Sequence, residues 1–287
     1  MAAKPRLVAS YFTLAGQVLP LEGSMASPVD LKARADAAAR AGFIGIGLET
    51  DDVIQWRDRI GFAGMKRVIR DAGLDYVEVE ALYDWFATGD RRAASDAKRQ
   101  VLLQAADELG AAQIKAVGDI HFGGTPISRL GEEFGLLCRE AAKVGTQVTI
   151  EIFPGSEIRD IASARGIVEA AGEPNGGLLI DIWHMARGGI PYEDIATIPP
   201  ALIRHIEVDD ADRELVGTIF EDTIMRRRLP GQGDLGVPHF LRCVRETGYD
   251  GAYGIEILSD EHRALPVEEA ARVAFDSTMA QFALIEA

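Results

Sequence analysis

Residues 204–213 read RHIEVDDADR, a run in which His205, Glu207 and Asp209 alternate with Ile206 and Val208. Alternation at every second residue marks a strand with one face on packed apolar matter and the other on something polar. Three ionisable side chains on one face imply a substrate or a metal ion in front of it, because buried charge needs a partner.

The same kind of short apolar segment recurs along the chain. LVASYFTL (7–14), FIGIGLET (43–50), DYVEVEAL (75–82), AQIKAVGD (112–119), TQVTIEIF (146–153), GLLIDIWH (177–184), IRHIEVDD (203–210) and AYGIEILS (252–259) read as eight strands. Amphipathic helical patterns lie between them, among them DLKARADAAARAG, SDAKRQVLLQAADELG and VPHFLRCVRETG, several ending at glycine as a helix C-cap does. Strand then helix eight times, without a linker or a shift in composition, predicts an α/β fold: a single (β/α)8 TIM barrel domain over 1–287. The competing doubly wound sheet is weakened by the absence of a GxGxxG or Walker-type loop after the first strand.

Composition bounds the partners. A chain of 287 residues with 47% hydrophobic residues is long enough for a sizeable core. No apolar run reaches membrane-spanning length and MAAKPRLVASYF lacks the apolar stretch of a secretory signal, so the expectation is a cytoplasmic protein with no membrane contact. A net charge of −15 repels phosphate backbones and leaves small molecules as the expected partners, with no nucleic acid. Cys138 and Cys243 sit inside helical patterns and read as small buried hydrophobes. A homo-oligomer is left open.

The later strands end in acid: Glu151 in TIEIF, Asp181 with His184 in LIDIWH, Glu207 in RHIEVDD and Glu256 in YGIEILS. In a barrel of this kind the chemistry lies at the C-terminal strand ends. Carboxylates near the ends of four successive strands call for a common cation or a polar substrate.

On these residues the chain resembles the xylose isomerase-like TIM barrels, a group that includes ketose 3-epimerases, hydroxypyruvate isomerases, inosose dehydratases and endonuclease IV. The resemblance spans most of the chain and is densest from residue 146 onward. It implies one divalent metal held by Glu151, Asp181 and Glu256, with a fourth ligand from strand seven. EIFPGSE supplies a second glutamate, Glu157, and DIWH supplies His184, both implied to contact substrate. Arg213 occupies the place of a substrate-binding arginine six residues beyond the strand-seven ligand, and counting back from it lands on Glu207 rather than on the usual histidine. His205 is then one layer deeper and stands as the alternative ligand.

A shell of Glu151, Asp181, Glu207 and Glu256 contains only carboxylate oxygens, which favours Mg²⁺ or Mn²⁺ over zinc. The resemblance implies an isomerase or epimerase in which Glu151 and Glu256 double as acid and base, passing a proton on carbon through an enediolate. A dehydratase of the inosose or dehydroshikimate type would use the same residues, and a non-catalytic ligand-binding barrel is a third class. Endonuclease chemistry is disfavoured by a chain with only 5 histidines.

Further candidates carry less. MRRRLP places Arg226, Arg227 and Arg228 in the long connection after strand seven, where Arg227 in particular is expected to grip an acidic or polyhydroxylated substrate. Glu49, Glu80 and Lys115 stand at earlier strand ends. Trp183 is expected to pack against a helix, Trp85 and Phe86 to take core or rim packing with an apolar wall as the alternative, and His121 to lie on a loop.

Overall fold

The computed structural model describes residues 4–20, 22–121 and 124–286. Eight parallel strands close into a barrel in the order one, eight, seven, six, five, four, three, two. They are Leu7–Ala9, Gly45–Glu49, Tyr76–Leu82, Gln113–Ala116, Gln147–Glu151, Gly176–Asp181, Ile203–Val208 and Tyr253–Ile255. Helices cover the outside, the longest being Thr50–Asp71, Gly89–Leu109 and Val267–Glu286.

The alternation read on strand seven sorts side chains as expected. Ile206 and Val208 are fully buried in the apolar layer between barrel and helices. His205 and Glu207, also buried, face the interior with Glu78 and Lys115 of strands three and four. Gly254 makes this possible, since a Cβ there would stand 2.7 Å from His205 Nε2 and 3.0 Å from Glu207 Cγ. A side chain at that position would displace the polar interior.

The strands are shorter than the apolar segments that announced them. The first stops at Ala9, because Ser10 turns its hydroxyl to Glu78 and Glu207 and a short helix, Tyr11–Leu14, follows. The sixth stops at Asp181, whose carboxylate accepts the His184 backbone N–H at 2.9 Å and so caps the helix Ile182–Arg187. The Asp-x-x-His spacing is therefore a strand end joined to a capped helical turn. The eighth stops at Ile255, leaving Glu256 just beyond the ladder.

Strand seven leads into a long excursion before the outer helix Val237–Glu246. Asp210–Ala211 pairs antiparallel with Arg227–Arg228, and the helix Ile219–Met225 lies between them. Both Asp210 carboxylate oxygens accept backbone N–H groups, from Gly231, Gly233, Leu235 and Ala211, which pins the return of the chain. This excursion roofs one side of the barrel mouth.

Candidate metal centre and active site

Glu151, Asp181, Glu207 and Glu256 each present a carboxylate oxygen within 4.8 Å of the others. Ligand atoms around one divalent ion at about 2.0 to 2.6 Å can be no more than about 5 Å apart, so the donor set fits such an ion in reach and in chemistry. Strand register explains the convergence: Asp181 lies beside Glu207, and Glu207 beside Gly254, two residues before Glu256. Glu78, His205 and Glu207 form a second group of close ligand atoms. His205 belongs to this deeper layer, with Nε2 3.3 Å from Glu78, whereas Glu207 reaches the cavity above.

Two buried cations stand among these acids. Lys115 Nζ lies 2.5 Å from Glu207, 2.7 Å from Glu78 and 3.2 Å from Glu80. Burial alone would lower its pKa, but the facing carboxylates outweigh it and hold the ammonium charged. Glu78 is likewise pushed up by burial, yet Lys115 and His205 bring it down to about 2. Glu207 is pushed up to about 8 by burial, which Lys115 only partly offsets, and Glu256 is raised well above the carboxylate range by burial and by Glu207. The cluster carries more negative charge than its own cations neutralise.

Arg227 is the second cation. Its Nη1 donates to Asp181 at 2.6 Å and to Asp209, and lies 3.4 Å from Glu256. Its Nη2 donates to Thr223 Oγ1 at 3.1 Å and meets His184 Nε2 at 3.3 Å, while Nε donates to the Thr223 carbonyl at 3.3 Å. The guanidinium is thus held by two carboxylates and twice by Thr223, with the His184 ring against it. Burial raises Asp181, but Arg227 and His184 outweigh it and leave its pKa lowered. His184 also holds Glu151 at 2.9 Å, so Glu151, His184, Arg227 and Asp181 form one connected chain.

The other sequence expectations divide. Arg227, read as a substrate grip, lines the cavity but is buried and paired with Asp181, Asp209 and Thr223. Arg213 is exposed, and its polar contacts are made by its backbone to Asp234 and Arg187. Glu157 accepts the Asp119 backbone N–H at 3.0 Å and lies outside the residues lining the cavity. Arg228 pairs with Asp212 near the surface at 2.6 and 2.8 Å, and Arg226 is exposed.

Glu49 caps the helix that follows strand two, accepting the Asp51 backbone N–H, while Glu80 and Lys115 do line the cavity. Trp85 and Phe86 are buried in the core, the packing expected of them, Trp85 donating to the Val117 carbonyl at 2.9 Å. Trp183 is fully buried and donates to Asp222 at 3.1 Å. His121 lies on a loop with an exposed side chain. Cys138 and Cys243 are buried free thiols, as their helical settings required.

Sequence reasoning missed Thr223, Phe220 and Ile224, which line the cavity from the excursion helix. Their spacing with Arg227 at i, i+3, i+4 and i+7 was the available signal.

The xylose isomerase-like TIM barrel family model matches residues 35–277. Inosose isomerase from Halalkalibacterium halodurans is 30% identical over 141 residues, 48% of this chain and 49% of that protein. 3-Dehydroshikimate dehydratase from Pseudomonas aeruginosa is 26% identical over 245 residues, 82% of this chain and 37% of that protein. The matches thus span half or less of these curated relatives. Among solved structures, the IolI protein with a bound zinc atom superposes with a TM-score of 0.82 at 18% identity, covering 98% of this chain and 99% of that one. D-Psicose 3-epimerase gives 0.73 at 14% identity, covering 98% and 100%. Those likenesses establish the fold, and the match over residues 35–277 establishes that the chain belongs to the xylose isomerase-like TIM barrel family.

Proposed function

We propose that this protein is a divalent-metal-dependent isomerase or epimerase acting on a small hydroxy-ketone of the keto-sugar, sugar-acid or hydroxy-keto-acid type. The observation that carries the reading is the convergence of Glu151, Asp181, Glu207 and Glu256 within ligand distance at the barrel mouth. A bound Mg²⁺ or Mn²⁺ would supply positive charge to a developing oxyanion and orient two neighbouring oxygens of the substrate. The all-oxygen donor set favours these hard ions.

The protein's own groups then do the proton work. Glu256 lines the cavity beside Glu207 and is placed to deliver a proton to carbon. Glu151 is the least buried of the four and is oriented by the His184 ring, which suits it to take a proton from the opposite face. Passing the proton between two such carboxyl groups interconverts epimers or isomers through an enediolate.

A second reading is favoured by the similarity to 3-dehydroshikimate dehydratase over 82% of this chain: the same pair would remove a proton and a neighbouring hydroxyl would leave as water. Screening keto-sugars, inososes and keto acids with the Mn²⁺-loaded protein in D₂O separates the two. Deuterium uptake with an unchanged molecular formula is expected for the isomerase. A growing enone absorbance would move the assignment to the dehydratase, and saturable Mn²⁺ binding without any turnover would leave a ligand-binding barrel.

A further inference from the structure

The space above the carboxylates measures about 650 Å³ including its opening to solvent. Its floor is ionic, formed by Glu80, Lys115, Glu151, Glu207, Arg227 and Glu256. Much of its wall is hydrocarbon, with Phe12, Val117, Phe153 and Leu258 from the barrel end and Phe220 and Ile224 from the excursion helix, interrupted by Tyr83, His184 and Thr223. Phe153 ties the walls together, meeting the His184 ring edge-on at 5.1 Å and the Phe220 ring at 5.5 Å.

Two features of this cavity restrict what fills it. An extended polyol needs donors and acceptors along its whole length, since each hydroxyl stripped of water without a partner costs binding energy. Here the polar partners are those of the floor with Tyr83, His184 and Thr223 beside them, and the excursion helix adds the apolar Phe220 and Ile224. The cationic side chains lining the cavity among the described residues are Lys115 and Arg227. Lys115 spends its three N–H groups on Glu207, Glu78 and Glu80, with Ser10 also at 3.3 Å. Arg227 donates to Asp181, Asp209 and Thr223, and its Nη2 also meets the His184 ring. Both cations are thus already paired with the protein's own carboxylates, which outnumber them on the floor, so a carboxylate or phosphate on the substrate would compete with acids already in place.

The excursion helix supplies the fit. Phe220, Thr223, Ile224 and Arg227 follow one another at i, i+3, i+4 and i+7, so one helical face and its continuation bring an aromatic ring, a hydroxyl, an aliphatic group and the guanidinium to the same cavity. Thr223 fixes Arg227 through both its hydroxyl and its carbonyl, so the apolar pair and the buried cation are positioned together.

We propose that Phe220 and Ile224 are specificity-determining residues that select an uncharged cyclic hydroxy-ketone, its vicinal oxygens on the ionic floor and its hydrocarbon face against this wall. The inference rests on the reading of the floor as the place where the substrate's oxygens are held, and it narrows the substrate within that reading.

The test measures binding by calorimetry to both the metal-free and the Mn²⁺-loaded protein. The probes are 2-hydroxycyclohexanone, the acyclic polyol D-erythrulose and the carboxylate-bearing ring 3-dehydroshikimate. The uncharged ring is expected to bind about tenfold more tightly than either of the others, the scale of burying one hydrocarbon face. In Phe220→Ser/Ile224→Ser its advantage over erythrulose should shrink to about threefold or less, with Mn²⁺ affinity serving as the check that the floor is intact. Equal affinities, a preference for erythrulose or 3-dehydroshikimate, no binding of the ring probe, or an unchanged ratio in the double variant each overturn the inference. A ring preference that persists in metal-free protein while Mn²⁺ fails to bind would uphold the wall and reject the metal-dependent function.

Discussion

Lys115 and Arg227 meet the same demand in two regions built differently. Lys115 rides on a barrel strand, in the deep floor, where Glu78 and Glu80 arrive on the neighbouring third strand and Glu207 reaches it across the barrel from the seventh. Arg227 is carried into the mouth by an excursion and touches Asp181, Asp209 and Glu256 from above. The floor inherits its order from the sheet, whereas the mouth depends on one short helix and the Asp210 loop contacts. Electrostatic compensation is therefore part of the scaffold in one region and delivered by a connection in the other.

Removing either cation probes that difference at its largest. Lys115→Met and Arg227→Met each leave buried carboxylates unpaired, so each should lower stability by about 3–5 kcal/mol in denaturant unfolding. The partners of Lys115 ride on barrel strands, whereas Arg227 is held by a connection, which adjusts to a lost partner at lower cost. Lys115→Met should accordingly cost the more, and a loss under about 1 kcal/mol in both would dissolve the comparison.

Acid should strike the floor next. Burial holds the His205 ring at about 4, below its ordinary 6.5. Its contribution is complete above pH 6.5 and is lost as pH falls from 6.5 through 4, because the unfolded chain takes up the proton first. The loss should reach about 3 kcal/mol, and His205→Gln should flatten the fall over that window. An identical slope in wild type and variant would show that the ring is not held neutral in the floor.

Glu207 joins the two regions, and its substitution should act on ion choice. Glu207→His exchanges an oxygen for an imidazole nitrogen and should shift preference toward Co²⁺ or Zn²⁺ by about tenfold, while Glu207→Gln should weaken Mn²⁺ only partly. Unchanged ion preference in Glu207→His would move the strand-seven ligand to His205. The smallest effect is expected one residue from the buried arginine. Arg228 is 38% exposed against 1% for Arg227, so Arg228→Ala should change stability by less than about 1 kcal/mol in thermal or denaturant unfolding.

The barrel was legible because period-two alternation repeats eight times, and strand-end acids stand out against apolar runs. Glu151, Asp181, Glu207 and Glu256 were found that way, and their gathering follows from register. Lys115 was visible as a strand-end residue, but its partnership with Glu78 is a contact across neighbouring strands that no local pattern encodes. Arg227 stood out only as one of three successive arginines; that it reaches the cavity already paired with Asp181 and Asp209 is a contact that only the fold shows. Trp85 and Phe86 read as core packing and their rings do fill the core, while the cavity wall comes from Phe12, Phe153, Phe220 and Ile224, which did not stand out in the sequence. The helix Ile219–Met225 went unread, since seven residues give two turns and too little periodicity to rise above the surrounding loop.

The most direct test of the account is a calorimetric Mn²⁺ titration of the wild-type protein beside Glu151→Gln, Asp181→Asn and Glu256→Gln. One saturable site per chain is expected, weakened about tenfold or more in each variant by the loss of a charged ligand. No saturable binding to wild type, or equal binding in all four proteins, would contradict the assignment of the barrel mouth as a metal centre.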